Sequence, residues 1–220
     1  MSVNLKKRLV TSFFLIILLS SMYFYTFVLI ISLILFAVIG WIEFNALLSK
    51  IFFKDYFKDK FFKFIFKSIS LVYFFSLIYF IIVSNSRHNY AEIQIIYALS
   101  ISIVSDVGGL VVGKLFKGKK LTKISPKKTI SGSIGSFMFS LMLIPIFILN
   151  FKDLNLLLLI IITLLVSLAS QFGDLLMSFI KRKAKVKDTS DLLPGHGGIL
   201  DRIDGMLLSI PICSLLFSIF

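Results

Sequence analysis

The stretch Leu9–Ile42, LVTSFFLIILLSSMYFYTFVLIISLILFAVIGWI, holds 34 consecutive residues without a charge. As one α-helix it would extend about 51 Å, too long for a hydrocarbon core of about 30 Å. Two short membrane helices with a turn near Ser21–Thr26 fit it better than one long tilted helix. Lys6-Lys7-Arg8 ahead of the run suggests a signal peptide at first sight. The run has no small-residue cleavage site between its charged flanks, so it reads as a retained membrane anchor.

The rest of the chain repeats the pattern. Of its 220 residues 58% are hydrophobic and only 16% charged, against roughly a quarter charged in soluble domains. Mean hydropathy is +0.98. Further spans are expected at Ser68–Ser86, Ile93–Gly113, Ser133–Asn150 with a kink at Pro145, Leu154 to about Ile180, and about Ile199 to Phe220. The class is therefore all-α, a polytopic integral membrane bundle of about seven transmembrane helices. Residues 1–92 form N-terminal membrane helices and residues 93–220 a catalytic membrane region, integrated as one domain. Lys50–Lys67, KIFFKDYFKDKFFKFIFK, spaces Lys and Phe three and four apart, as a helix lying on the bilayer surface would.

The net charge is +13. Nucleic acid is not the expected partner, because the cations sit in short segments between apolar runs. Seven spans with a cytoplasmic N-terminus put every cation except Arg87 and Lys152 on the cytoplasmic side. Merging the first two helices destroys this bias. The layout places the chain in a bacterial-type inner membrane, multi-pass, with both chemically rich loops facing the cytoplasm. Cys213 is the single cysteine, so neither an intrachain disulfide nor a cysteine metal cluster is expected.

The chemistry concentrates in SQFGDLLMSFIKRKAKVKDTSDLLPGHGGILDRIDG, Ser170–Gly205. Gln171, Asp174, Ser178 and Lys181 recur at three or four residues and share one helical face. Asp201 and Asp204 share another at the start of the last helix. Carboxylates beside hydrocarbon are costly and mark ion or substrate paths. With a basic loop beside them they suit Mg²⁺, a hard cation that shares oxygen ligands with phosphates. Glycines in Pro194-Gly195-His196-Gly197-Gly198 allow close backbone approach to an oxyanion. Simpler roles also suit these residues: helix capping for Asp201, Arg202 and Asp204, a turn for His196, flanking charge for Lys181–Lys187.

The spaced set Ser178-x-x-Lys181-Arg182-x4-Lys187-Asp188-x4-Leu193-Pro194-x-His196-Gly197-Gly198-x-x-Asp201-Arg202-x-Asp204 resembles the defining motif of the phosphatidate cytidylyltransferases, or CDP-diacylglycerol synthases. Gln171-x-Gly173-Asp174-Leu175 also fits that family. Upstream, Ser105-Asp106 with Gly113, then Ser125-Pro126-Lys127-Lys128-Thr129, resembles its Asp-containing helix and its Ser-Pro-x-Lys-Thr segment. Two positions depart from the family pattern. Ser131 stands where a Glu is common, and Leu110 near a common aromatic. The specific resemblance spans about residues 100–205.

The resemblance implies CTP and phosphatidic acid as substrates, with membrane lipids as surroundings and CDP-diacylglycerol and pyrophosphate as products. It implies Mg²⁺, with a second cation left open, held by Asp174 and Asp201, with Asp204 and Asp188 as further ligands. Lys127, Lys128, Lys181, Arg182 and Lys187 would take the phosphates. Ser125, Thr129, Ser178, His196, Gly197, Gly198 and Arg202 would line the substrate site, and Asp106 would support it. A homodimer is one arrangement the sequence leaves open. The competing readings are a CTP-dependent polyprenol- or phytol-type lipid kinase and an ion or proton transporter.

Overall fold

In a computed structural model the described residues are 3–53, 56–87, 91–122, 124–151, 154–195 and 197–219. His196, Lys54, Lys123 and Lys152 lie outside them. Eight α-helices run in order among the described residues: α1 Val3–Phe24, α2 Thr26–Ile51, α3 Phe57–Arg87, α4 Ala91–Phe116, α5 Ile130–Leu141, α6 Ile144–Phe147, α7 Leu156–Lys183 and α8 Leu200–Ile219. No strand is formed among these residues. Six segments have the length and composition to cross a membrane: α2, Phe57–Tyr79 within α3, α4, Ile130–Asn150, α7 and α8. The apolar part of α1, Val10–Phe24, is shorter. Large apolar side chains stay exposed along these helices, as with Phe27 at 74% and Leu157 at 70%. In water such exposure would be unfavourable; against lipid it is expected. The chain is a multi-pass membrane protein.

The 34-residue run divides as its length requires. Tyr25 adopts an extended conformation (φ −130°, ψ 104°) between α1 and α2. The expected kink at Pro145 is also found. Pro145 has no N–H to give, and its ring would meet the carbonyl of Leu141 in a continuous helix. α5 accordingly ends at Leu141, and Pro145 sits in the first turn of the short α6.

The helix expected over Lys50–Lys67 has different bounds. α2 continues through Lys50 to Ile51, and the basic segment from Phe57 is the first part of the 31-residue α3. α3 contains neither Gly nor Pro, so nothing breaks it between the amphipathic segment and the span. Ser70 and Ser76 turn their hydroxyls back onto the carbonyls of Lys67 and Tyr73 at 2.8 Å each, satisfying themselves within the helix.

The chain forms two compact units. One comprises Met1–Ser86 with Ile180–Ile203, the other Arg87–Phe179 with Asp204–Phe220. Within the second, α4 and α5 approach through glycines. A Cβ added at Gly108 would come within 2.6 Å of the Gly135 carbonyl, and one at Gly132 within 2.8 Å of the Gly109 carbonyl. Small residues let membrane helices pack backbone to backbone. Hydroxyls reinforce this contact and link it to α7. Ser136 donates to the Ser105 carbonyl at 2.7 Å, Ser140 to Ser167 Oγ at 3.0 Å, and Ser102 pairs with Ser170 at 2.8 Å. Tyr97 Oη and Thr163 Oγ1 meet at 2.6 Å deeper in the unit. At the α7–α8 contact a Cβ on Gly173 would lie 2.6 Å from the Asp204 carbonyl.

Candidate active site

The α4–α5 connection builds one wall of a site in the second unit. Its two limbs pair as a short antiparallel bridge between Lys120 and Thr129. Leu121 N–H donates to the Lys128 carbonyl at 2.8 Å, and Ile130 N–H to the Lys119 carbonyl at 2.9 Å. Between them Lys128 N–H closes a turn onto the Ser125 carbonyl at 3.0 Å. Thr129 caps α5, its hydroxyl accepting from Gly132 N–H at 3.0 Å. Ser131 accepts from Gly118 N–H at 3.2 Å and so fastens the loop to the helix start.

This loop, α4 and α7 enclose a cavity of about 630 Å³. Asp106 and Lys114 of α4, Ser125, Lys127, Lys128 and Thr129 of the loop, and Gln171 and Asp174 of α7 line it. Lys128 Nζ forms an ion pair with Asp174 Oδ2. Ser178 reaches Asp174 Oδ1 at 3.4 Å. Gln171 accepts from Ser133 at 2.5 Å, and its Nε2 is buried with no hydrogen-bond partner among the described residues. The upstream motif and the Gly-Asp of α7, about 45 residues apart in sequence, are thus walls of one chamber.

The first unit holds a second constellation around the loop that joins α7 to α8. Lys181 Nζ donates to Asp201 Oδ1 at 2.6 Å. Asp201 Oδ2 accepts from Thr189 N–H at 2.7 Å, Thr189 Oγ1 at 3.0 Å and Gly198 N–H at 3.0 Å. Leu193 N–H closes onto the Gly197 carbonyl at 2.8 Å, and the loop turns through positive φ at Gly195 (78°) and Gly197 (82°). These are conformations glycine adopts without a Cβ clash. Arg182, Lys187, Asp188 and Arg202 are exposed. Thr11 of α1 donates to the Pro194 carbonyl at 3.0 Å.

Of the residues expected at the site, Asp106, Ser125, Lys127, Lys128, Thr129 and Asp174 share the cavity of the second unit. Lys181, Gly198 and Asp201 meet in the first. The Gly198 N–H, expected to face an oxyanion ligand, is taken by Asp201. Asp204 belongs to the second unit and is buried, its Oδ1 accepting from Gly205 N–H at 2.9 Å.

Sequence reasoning missed Glu43. It is 3% exposed on α2 and accepts four hydrogen bonds from the α7–α8 loop and the start of α8. A signal was there: one acid inside an apolar helix, ending the uncharged run.

Among the described residues no group of three or more His, Cys, Asp or Glu gathers at one point. A closed all-protein metal cage is therefore not what they form. Two carboxylates lining one cavity, Asp106 of α4 and Asp174 of α7, with three lysines, do suit Mg²⁺. That ion takes one or two carboxylates and completes its shell with water and substrate phosphate.

An α-helical, multi-pass membrane protein with acids and lysines around a chamber is thus defined. The sequence profile of the Cytidylyltransferase family matches residues 2–220, and the chain belongs to that family. It is 43% identical over 125 residues to the phosphatidate cytidylyltransferase of Staphylococcus haemolyticus, covering 56% of this chain and 48% of the relative. The proteins of the same name from Staphylococcus saprophyticus and Staphylococcus aureus are 41% and 43% identical over the same shares. The chain spans about half the length of these curated relatives.

Proposed function

We propose that this protein transfers CMP from CTP to phosphatidic acid, giving CDP-diacylglycerol and pyrophosphate. The observation that carries the reading is the Lys128–Asp174 pair on the wall of a lysine-lined chamber, in a chain whose relatives are named for this activity. A phosphate oxygen of phosphatidate forms the new bond to the α-phosphorus of CTP. The bond from that phosphorus to the α–β bridging oxygen breaks, and pyrophosphate leaves with the electron pair. The nucleophile is already ionised at neutral pH, so no strong base is needed. The protein's task is to bring two polyanions together and stabilise the leaving charge.

Lys127 and Lys128 hold phosphates from the loop side, with Lys114 across the chamber. Lys128 can exchange Asp174 for a phosphate oxygen, since both are charge-assisted acceptors. Lys181, Arg182 and Lys187 are assigned to the remaining phosphate charge. Bound Mg²⁺ would neutralise charge on the departing pyrophosphate, with Asp174 and Asp106 among the residues holding it. The roles of Asp201, Asp204 and Asp188 as further cation ligands are proposals that substitution tests. Ser125, Ser178, Arg202 and the His196-Gly197-Gly198 turn are assigned to shaping the site around the phosphates.

The distribution of cations supports a cytoplasmic N-terminus and a site on the cytoplasmic face of a bacterial inner membrane. Phosphatidate then enters from the inner leaflet, its head group drawn by lysines. The test is purified protein with Mg²⁺, phosphatidate and CTP labelled at the α-phosphate. Label in lipid with release of pyrophosphate is expected. Label confined to CDP would mean a lipid kinase and end this reading.

A further inference from the structure

We propose that Glu43 is a positioning residue for the transfer reaction, acting through Thr189 to fix Asp201 and Lys181. The proposal rests on the cytidylyl-transfer reading above. An acid within a membrane helix needs partners, and those of Glu43 are unusual. Oε1 accepts from Ser190 Oγ at 2.5 Å and Ile199 N–H at 3.1 Å. Oε2 accepts from Thr189 Oγ1 at 2.8 Å and Leu200 N–H at 2.8 Å. Among the described residues its partners are two hydroxyls and two backbone N–H groups, with no cation. A carboxylate has about four lone-pair sites, and all are used.

These donors come from two places. Thr189 and Ser190 lie midway along the loop; Ile199 and Leu200 end it. One buried carboxylate on α2 thus pins a connection that would otherwise lose much conformational entropy on ordering. The pin is coupled to Asp201. Thr189 Oγ1 lies between Glu43 Oε2 and Asp201 Oδ2, and its single proton serves one of them at a time. With Glu43 in place, the Thr189 N–H holds Asp201 Oδ2 toward the loop, and Oδ1 faces Lys181. The space is closed as well. A Cβ at Gly198 would come within 2.5 Å of Glu43 Oε2, so Gly198 is where the loop backbone passes over the carboxylate. Without Glu43 two N–H groups at the start of α8 lose their acceptor, and Asp201 loses the fixed Thr189 that orients it.

The test uses the full chain in detergent. Glu43→Gln sets an amide NH₂ against hydrogen-bond donors. Thr189→Val keeps volume and removes the bridging hydroxyl. Thr189→Ser retains that hydroxyl and serves as the rescue. Turnover of α-labelled CTP into lipid gives kcat and KM, and the rate of tryptic cleavage at Lys185 and Lys187 reports on the loop. Thr189→Val and Glu43→Gln should lower kcat at least about tenfold with the KM for CTP held within about threefold, and both should speed loop cleavage. Thr189→Ser should stay near wild type in both. Should Glu43→Gln not fold, Thr189→Val and Thr189→Ser decide alone. The proposal is overturned if Thr189→Val keeps wild-type kcat, or if its loss matches only a smaller folded fraction. A wild-type protein that transfers no CMP would overturn the reaction itself, and with it any positioning role in that reaction. Unchanged loop cleavage in active wild type and variants would instead overturn the tether alone.

Discussion

Lys181 Nζ lies 2.6 Å from Asp201 Oδ1, and the two side chains are only 12% and 6% exposed. This pair joins the last turn of α7 to the first turn of α8. Removing Asp201 leaves the Lys181 charge half-buried without its partner, and removing Lys181 leaves Asp201 with only its loop donors, each at a cost of up to about 3–5 kcal/mol. Lys181→Met and Asp201→Asn should each lower the thermal midpoint in detergent. The double variant should be destabilised by less than the sum of the singles. Strict additivity in the double-mutant cycle would show that the pair does not interact in solution.

The Lys128–Asp174 pair predicts the opposite balance. Its side chains are 27% and 21% exposed, so its worth to folding is below about 1 kcal/mol. If Asp174 serves at the reacting phosphates, Asp174→Asn should cost at least about a hundredfold in turnover while the melting temperature hardly moves. An Asn variant with near-normal CMP transfer would remove Asp174 from the mechanism.

Ser131 fastens the α4–α5 loop by accepting from Gly118 N–H, and its hydroxyl also meets Thr129 Oγ1 at 3.1 Å. Losing it in Ser131→Ala should cost about 1 kcal/mol of loop order, a factor of about five in the KM for CTP. The kcat should change less, because the reacting groups are untouched. Initial-rate kinetics over a CTP series would check this, and an unchanged KM would mean the loop is held by its other bonds.

Gly135 faces α4 with a Cβ position 2.8 Å from the Gly108 carbonyl. A methyl group there would also run into Val112 Cβ and Cγ2, the stiff β-branched start of that side chain, so α4 itself has to shift. Gly135→Ala should destabilise by about 1–3 kcal/mol and reduce turnover by displacing α4, which carries Asp106. Gly118→Ala offers a comparison outside the helix pair, since it meets mainly Ser131 Oγ, at 2.7 Å. Equal stability of Gly135→Ala and wild type would show that the helices can separate freely.

Much of this was legible in the chain. The break at Tyr25 followed from a run too long for the bilayer, and the bend at Pro145 from a missing N–H. The helix expected at Lys50–Lys67 has other bounds for a definite reason. Periodicity reports which face is polar, not where a helix starts or stops, and from Phe57 to Arg87 neither Gly nor Pro interrupts one. Asp174 was picked out by type and spacing, Asp106 and Lys128 through the family resemblance of their segments. Their common chamber was not, because it depends on glycine contacts between α4 and α5.

The sequence by itself determined that the chain lives in a membrane, that its first long apolar run is divided, and where its acids and cations gather along the chain. Those follow from hydrophobic length, the cost of buried charge and the chemistry of phosphates, all local properties of the chain. Only the tertiary structure decided that Lys128 meets Asp174, that Asp201 is bound by its own loop, and that Glu43 holds that loop from α2. The last contact joins residues separated by 146 positions between Glu43 and Thr189. No local pattern records which buried donors will converge on one acceptor; packing brings them together, and the cost of leaving them unsatisfied keeps them there.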